Sequence, residues 1–404
     1  MIDPGLIAFG IGYLGLAVTV ARGRGPVAAI GVMIIAYTLY TLAIPGLHAF
    51  ISSLENLTLW INIRVFIYIF LSLFLAGVLK ETGYLDLMVK GASSAGCRFS
   101  YTSVPALIGL LPMPGGALVS AIAMRKKYLE ESKMPPEWAS YLNYWFRHIW
   151  IPSWPLFQSV VITAAVLAIT PVGVVSVTWP ATPAAVAAGL AIGYPALSRY
   201  RCGMEPDGSR SLLLKASWPF ILLAALIISG VASLLEALTL TLTATIIILR
   251  PGTTQLKNAL LLAARPRIHA ILFEALLLKE LLLNTGTPQA LYEAAASTGL
   301  PPLFIAFIVP FILGLAAGGE NFFAATSMPL LKAYIITGGT IDPGMLLIAY
   351  TGGSMGVMAS PVHLCYALTV DYYKARPGRV MLLSLASVVL TSFLVLLAYF
   401  TLLA

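Results

Sequence analysis

The sequence contains few charged residues. Lys, Arg, Asp and Glu together make up 10% of its 404 residues, whereas about a quarter of an average soluble domain is charged. Apolar residues make up 59%, and the mean hydropathy is +0.91. So few charges cannot cover a surface exposed to water, and most of the surface must therefore face lipid. This composition excludes a soluble enzyme, a nucleic-acid-binding protein and a disordered chain.

Cysteine is also scarce. The three cysteines, Cys97, Cys202 and Cys365, show no metal-ligand or redox spacing, so we expect neither a metal site nor a disulfide framework.

No basic segment precedes the first apolar stretch, which favours a retained helix over a cleaved signal peptide. The 24 Lys and Arg exceed the 16 Asp and Glu and give a net charge of +8. In a membrane protein such an excess determines the orientation of the chain.

Long apolar segments dominate the sequence. A helix needs about 20 mainly apolar residues to cross a bilayer. Ten segments are predicted to cross: 5–21, 26–46, 59–79, 139–169, 171–195, 215–233, 237–249, 268–284, 342–368 and 380–403. The segment 139–169 is too long for one straight crossing, and Pro152 and Pro155 predict a break within it.

Two further apolar segments, 103–124 and 302–332, each contain a Gly-Gly pair near the centre. Neither half of such a segment is long enough to cross. We therefore expect re-entrant hairpins, in which a helix enters, the chain turns at mid-depth and a second helix returns. The alternative is an ordinary helix that tolerates two glycines.

An internal repeat relates the two halves of the chain. An offset of 203 residues sets Gly83 on Gly286, and it sets Gly115-Gly116 on Gly318-Gly319. Five predicted crossings separate equivalent positions, and because this number is odd the two copies should have opposite orientations. The copies cover 1–195 and 196–404, each with three helices, a hairpin, a broken helix and a final helix. Inverted repeats with broken elements are typical of secondary transporters.

The basic residues favour one orientation of this all-α polytopic membrane protein. If the N-terminus lies outside, every Lys and Arg falls on the inner side except Arg64, Arg147, Lys279 and Lys332. Positive residues prefer the cytoplasmic side. The sequence thus predicts a multi-pass protein of the cell (plasma) membrane with both termini outside.

Three strings carry a resemblance to a known group of transporters: Leu111-Pro112-Met113-Pro114-Gly115-Gly116-Ala117, Asn143-Tyr144-Trp145-Phe146-Arg147-His148 and Ser360-Pro361-Val362-His363-Leu364-Cys365. With the layout above, the chain resembles the ion transporter superfamily, which includes divalent-anion/sodium symporters, citrate carriers and gluconate-type permeases. It looks closest to an uncharacterised archaeal and bacterial integral-membrane family within it. The resemblance implies a homodimer in which a mobile domain works by an elevator motion. Neither tip carries the Ser-Asn-Thr sodium motif of the dicarboxylate symporters.

The two hairpin tips are candidate binding sites. At the first tip, Pro114, Gly115, Gly116 and Ala117 would start a half-helix whose free N–H groups favour an anion; a tightly packed turn is the alternative. The second tip adds a carboxylate and an amide, which suit a cation or a proton, although Glu320 could instead cap its half-helix. Its candidate residues are Gly318, Gly319, Glu320, Asn321 and Thr326.

Two charged residues within apolar segments are further candidates. An arginine at mid-membrane costs about 2.5–3.5 kcal/mol unless it is paired or hydrated, which makes Arg147, with its neighbour His148, a functional candidate. The alternative is an Arg147 that extends to the inner interface. Glu274 could relay protons or pair with Arg147.

Glycines and a proline predict a break in the equivalent segment of the second copy, 342–368, with hydroxyls and carbonyls available for an ion. These groups belong to Thr351, Gly352, Gly353, Ser354, Ser360 and His363. Residues 352–356 also match the Gly-x-Ser-x-Gly nucleophile pattern, which raises the alternative of an intramembrane serine hydrolase that uses Ser354 and His363. That motif requires a strand–turn–helix, and none is predicted here.

The sequence therefore predicts a secondary active transporter of a small organic anion, coupled to H⁺ or Na⁺. The first tip, Arg147 and His148, with Gly318, Gly319, Asn321 and Thr326, would bind the substrate. Glu320, Asn321, Glu274 and the 351–363 stretch would bind the coupling ion. We expect no ATP-driven step, no nucleic-acid partner and no cofactor other than a bound Na⁺. A lipid-carrier flippase, with a lateral opening, is a third alternative.

Overall fold

The computed structural model describes residues 4–21, 26–94, 96–111, 116–200, 211–297, 299–361 and 363–402. Within these ranges the chain is almost entirely helical, as the composition predicts. The helices are α1 (Pro4–Ala21), α2 (Pro26–Ala43), α3 (Leu47–Leu57), α4 (Trp60–Glu81), α5 (Tyr84–Ser94), α6 (Cys97–Gly109), α7 (Gly116–Arg125), α8 (Pro136–His148), α9 (Gln158–Leu167), α10 (Pro171–Thr178), α11 (Ala181–Arg199), α12 (Ser211–Ile228), α13 (Leu234–Leu249), α14 (Thr253–Ala263), α15 (Pro266–Asn284), α16 (Thr287–Ser297), α17 (Pro302–Ala317), α18 (Glu320–Ile335), α19 (Pro343–Met358), α20 (Leu364–Tyr373) and α21 (Pro377–Leu402).

Two short features interrupt the helices. A π-helical turn, Lys126–Glu131, continues α7. Between α18 and α19 lies an antiparallel hairpin of β1 (Ile336–Thr337) and β2 (Thr340–Ile341), in which Ile336 pairs with Ile341. Gly338 and Gly339 form its turn with positive φ values of 59° and 79°, a conformation that glycine adopts without a steric penalty.

The lengths of the apolar helices fit a membrane-associated protein. Among the described residues, Asn62–Glu81, Ala181–Arg199 and Pro377–Thr401 are each long and apolar enough to cross a bilayer. The pair α9 and α10, bent by 107°, adds a fourth if it counts as one span. Shorter apolar helices include α13, which has 16 residues. Ten crossings therefore remain a prediction.

The predicted single helix over 171–195 is wrong, because the structure has two helices there. The first, α10, ends at Thr178, and α11 begins at Ala181. Pro180 lies between them, and its missing N–H interrupts the helical hydrogen bonds. The structure also contains four helices of 11 residues that the apolar segments did not predict, namely α3, α5, α14 and α16.

The chain leaves the helix in both segments where prolines predict a break. Residues 149–157 separate α8 from α9, and 359–363 separate α19 from α20. Distant side chains satisfy part of the freed backbone in the first break. The Thr182 hydroxyl donates to Ile149 O (2.9 Å), and the Tyr350 hydroxyl donates to Ile151 O (3.1 Å). Such partners are required where backbone leaves a helix inside an apolar environment.

The order of the helices recurs along the chain. Helices α5 and α16 begin at Tyr84 and Thr287, which are 203 positions apart, and each has 11 residues. The packing is reciprocal as well. The return helix α7 packs against α20, while α18 packs against α9; likewise α3 packs against α15, while α14 packs against α4. In these two cases, a contact between two helices of different halves recurs between their counterparts.

Glycines bring α17 and α19 into close contact. A Cβ added at Gly352 would lie 2.2 Å from Phe307 O, and one at Gly356 would lie 2.1 Å from Phe311 O. A Cβ added at Gly314 of α17 would lie 2.5 Å from Gly353 O. No side chain fits at such distances, so these glycines permit the backbones to touch, as small residues do between membrane helices.

Candidate functional site

The first hairpin brings the start of α7 to a buried arginine. Pro114 and Gly115 of its predicted tip lie outside the described residues. Gly116 and Ala117 form the first turn of α7 and are buried. A Cβ at Gly116 would lie 2.1 Å from Arg147 Nη2, so the guanidinium rests on the glycine itself.

Arg147 is held in place through its backbone as well as its side chain. It is 4% exposed and stands in the last turn of α8. Its carbonyl oxygen packs against α6, where a Cβ at Gly109 would lie 2.2 Å away. The end of α8 thus fits between the two helices of the first hairpin. The predicted proximity of Arg147 to this tip is present in the structure.

The hydrogen-bond partners of His148 determine which of its ring nitrogens carries the proton. Its Nδ1 lies 2.6 Å from Tyr144 O, and its Nε2 lies 3.2 Å from Arg147 Nη1. A carbonyl oxygen can only accept and a guanidinium can only donate. His148 therefore carries its proton on Nδ1, accepts from Arg147 at Nε2 and is neutral.

The second hairpin tip packs against the break of its own copy. Gly318 has a φ of 60°, and a Cβ there would lie 2.7 Å from His363 N and 2.9 Å from Ser360 Oγ. Asn321 Oδ1 lies beside Gly319, at 3.1 Å from the position of a Cβ. Gly116 and Gly318 therefore each contact the interrupted segment of the same half of the chain.

Glu320 begins α18 and interacts electrostatically with Arg147 and Cys365. Its Oε2 is buried and accepts no hydrogen bond from the described part of the chain. Glu320 of the second half therefore lies near Arg147 of the first half. Thr326, a predicted substrate ligand, donates its hydroxyl hydrogen to Phe322 O at 2.8 Å within α18, and its oxygen can still accept.

The second copy's broken segment differs from the prediction. Helix α19 continues through Gly352 and Gly353 to Met358, so these glycines do not interrupt it. They serve packing instead, because Gly352 faces Phe307 O and Gly353 faces the Phe323 ring. The break begins only at residue 359. The hydroxyls of Thr351 and Ser360 are buried, and neither has a hydrogen-bond partner among the described residues.

Ser354 and His363 do not have the geometry of a nucleophile and its base. Ser354 lies inside α19, not on a strand–turn–helix, and its hydroxyl donates to Tyr350 O at 2.9 Å. His363 Nδ1 lies 3.3 Å from Val357 O and 3.5 Å from the Tyr144 hydroxyl. The hydrogen bonds found for these two residues in the described chain thus lead to other partners.

Glu274 lies in another part of the molecule. Its Oε1 stands 3.9 Å from the position of a Cβ at Gly31 of α2, and its Oε2 is buried without a hydrogen-bond partner among the described residues. Glu320 interacts electrostatically with Arg147, whereas the described contact of Glu274 is with α2.

Three residues of the site were not among the predicted ligands. The Cys365 sulfur lies within 4.8 Å of a ring nitrogen of His148. Asn143 Nδ2 donates to Ala117 O at 3.0 Å, and the Tyr144 ring contacts both His148 and His363. All three residues lie within strings that the resemblance singled out. The neighbours of Cys365 could not be predicted, because they are more than 200 positions away in the chain.

Together the fold and the site define a nearly all-helical, membrane-associated protein with a buried arginine between two interrupted helical segments. Residues 23–402 match the model of a family described as "Protein of unknown function (DUF401)". The chain belongs to this family. No curated protein matches it.

Proposed function

We propose that this protein is a secondary active transporter that carries a small organic anion across the cell membrane, coupled to H⁺ or Na⁺. One observation carries the proposal, namely the contact between the Arg147 guanidinium and Gly116 at the start of α7. A guanidinium binds a carboxylate through two parallel hydrogen bonds. The first turn of a helix adds free N–H groups and the positive end of the dipole.

The charges around Arg147 support coupling to a cation. His148 is neutral, so Arg147 and the acid Glu320 are the ionisable groups that the two halves of the chain bring together. Whenever Glu320 is ionised, an anion that binds to Arg147 must compete with its carboxylate. The competition ends if Glu320 takes up a proton or if a cation neutralises it. Binding of the anion would therefore favour binding of H⁺ or Na⁺.

The packing supports alternating access between two related halves. Reciprocal contacts, as between α7 and α20 and between α18 and α9, are what a two-fold relation produces. With five crossings between equivalent positions, the axis would lie in the membrane plane, as in transporters with inverted repeats. The elevator motion and the homodimer follow from the resemblance to the ion transporter superfamily and belong to the same proposal.

A ligand screen tests the function. Acetate, succinate, glutamate and inorganic phosphate are added to the purified protein with and without Na⁺, and thermal unfolding is measured. A bound ligand at 100 times its Kd stabilises a protein by about 2.7 kcal/mol, so at least one carboxylate should raise the unfolding temperature. A serine-directed fluorophosphonate should not react. Labelling of Ser354 would favour the hydrolase, and indifference to every anion would contradict the anion site.

The topology gives a separate prediction. If the two halves are inverted, the residues after the first hairpin, such as Lys126, face the cytoplasm, whereas Lys332 after the second hairpin faces outside. Single cysteines at these positions, in a chain without the three native cysteines, should react with an impermeant maleimide from opposite sides. Labelling of both positions from one side would contradict the inverted repeat.

Glu320→Gln tests the coupling. The amide keeps the shape of the side chain but can neither ionise nor take up a proton. We expect the dependence of anion binding on pH or Na⁺ to fall strongly, with a smaller change in the affinity measured under saturating coupling ion. Glu130→Gln, at an exposed acid in the π-helical turn after α7, is the control and should keep the ion dependence. An unchanged dependence in Glu320→Gln would leave Glu320 with a structural role at the start of α18.

A further inference from the structure

Three side chains that can bind a metal converge beside Arg147. One ring nitrogen of His148, one of His363 and the Cys365 sulfur all lie within 4.8 Å of one another, and all three residues are buried. They come from the end of α8, the 359–363 break and the first turn of α20. The sequence alone predicted no metal site, because His148 is more than 200 positions from the other two.

Both imidazole rings are oriented as metal-binding histidines usually are. His148 Nδ1 lies 2.6 Å from Tyr144 O, and His363 Nδ1 lies 3.3 Å from Val357 O. Each Nδ1–H can thus donate to a backbone carbonyl, which leaves the lone pair of each Nε2 for another partner. Histidine ligands are commonly fixed in this way, by donation of the second ring N–H to a carbonyl or a carboxylate.

We propose that His148, His363 and Cys365 form a binding site for a thiophilic transition-metal ion such as Zn²⁺. Two imidazole nitrogens and one thiolate are a ligand set that Zn²⁺ accepts, with one of its four positions left open. On binding, the Cys365 S–H bond breaks, its electron pair forms the bond to the metal, and the proton passes to water. No electron is transferred, so no oxidant or reductant is needed.

The Cys365 thiolate would supply one negative charge to the ion, and the fourth position would stay open to water. Glu320 lies outside the group of three. Its buried Oε2 accepts no hydrogen bond from the described residues. The three residues therefore offer the donor atoms that Zn²⁺ requires and one of the two charges.

Arg147 opposes the metal in the present arrangement. Its Nη1 lies 3.2 Å from His148 Nε2, so this hydrogen bond and a metal bond to the same nitrogen exclude one another. A metal would displace the guanidinium and repel its charge. If the three residues bind a metal, removal of the guanidinium should tighten metal binding. A purely structural role for these residues predicts no such effect. The metal site does not depend on the proposed transport.

Cobalt provides the test, because Co²⁺ occupies zinc sites and a thiolate bound to it gives a charge-transfer band in the near ultraviolet. The parent is the full chain with Cys97→Ser and Cys202→Ser, which keeps Cys365 as its one cysteine. Titration of the purified parent with Co²⁺ should produce this band at one ion per chain, and Zn²⁺ should remove it. In Cys365→Ser the band should disappear.

Three further variants separate the ligands from their surroundings. His148→Ala and His363→Ala should each weaken Co²⁺ binding by about tenfold or more, since even outer-shell partners change metal affinity by 10–100-fold. Arg147→Gln should strengthen it. His269→Ala is the matched control and should change nothing, because His269 Nε2 contacts Ala263 O at 2.8 Å and its ring stacks on Phe66.

The Co²⁺ titration of the folded parent is enough to contradict the proposal, even if none of the variants folds. If it shows no thiolate band with Co²⁺, or if the band appears but Zn²⁺ does not remove it, the three residues are not a metal site. A band that persists in Cys365→Ser, or weaker binding in Arg147→Gln, would contradict it equally. Anion binding in the ligand screen is measured without metal, so failure of one proposal is distinguishable from failure of the other.

Discussion

Arg147→Lys is expected to lower the affinity for the transported anion by about tenfold or more while the protein still folds and inserts. The loss of one charge-assisted hydrogen bond costs roughly 1.5–3 kcal/mol, and each 1.4 kcal/mol corresponds to about tenfold in affinity. Lysine keeps the charge but lacks the planar fork that binds a carboxylate through two bonds. In this site it would also lose the contact that the guanidinium makes with Gly116.

The measurement is the shift in unfolding temperature that each stabilising anion produces, titrated for the parent and the variant. Arg64→Lys is the matched control. Arg64 also lies in an apolar helix, α4, where its guanidinium stands 6.0 Å from the centre of the Trp60 ring, and lysine can replace it there without touching the site. If Arg147→Lys binds anions like the parent, Arg147 only anchors α8, and the anionic substrate loses its main support.

Gly356→Ala is expected to destabilise the protein by about 1–3 kcal/mol, the usual cost of overpacking. The new methyl group would lie 2.1 Å from Phe311 O and 2.8 Å from the carbonyl carbon. Backbone atoms cannot rotate away as the end of a side chain can, so α17 and α19 must separate. The better helix propensity of alanine returns up to about 1 kcal/mol, which is less than the contact costs.

Thermal unfolding in detergent, monitored by circular dichroism, measures the change. Gly378→Ala in α21 is the control, because no atom lies within 4 Å of the position of its Cβ. That variant should be neutral or slightly more stable than the parent. Equal unfolding temperatures for Gly356→Ala and Gly378→Ala would show that α17 and α19 are not packed backbone to backbone.

The sequence predicted the interruptions of the helices better than their lengths. Pro152 and Pro155 indicated the break between α8 and α9, because proline removes a donor wherever it stands. Gly352 and Gly353 were misleading. Glycine is compatible with a break, but it also permits close packing, and only the position of α17 decides between the two. The short helices α3, α5, α14 and α16 are too brief to show a crossing signal and depend on tertiary contacts.

The candidate site was also predictable only in part. An arginine in an apolar segment is costly, so Arg147 is conspicuous in the sequence itself. The start of α7 was predictable from its glycines. The proximity of Glu320 and Cys365 to Arg147 was not, since it depends on how the two halves dock. The hydrogen bond of Thr326 was not predicted either, although a threonine within a helix can donate to the carbonyl four residues earlier.

The hydrogen bond from Tyr350 to Ile151 O has a consequence for biosynthesis. Its two residues are 199 positions apart, and a ribosome that adds about 5–20 residues per second needs roughly 10–40 s to make the intervening chain. During that interval the Ile151 carbonyl oxygen, in the break between α8 and α9, lies in the translocon or the bilayer without the Tyr350 hydroxyl as its donor. A nascent chain arrested before Tyr350 should therefore be a preferred substrate of membrane quality-control proteases, and chains arrested just after it should persist longer.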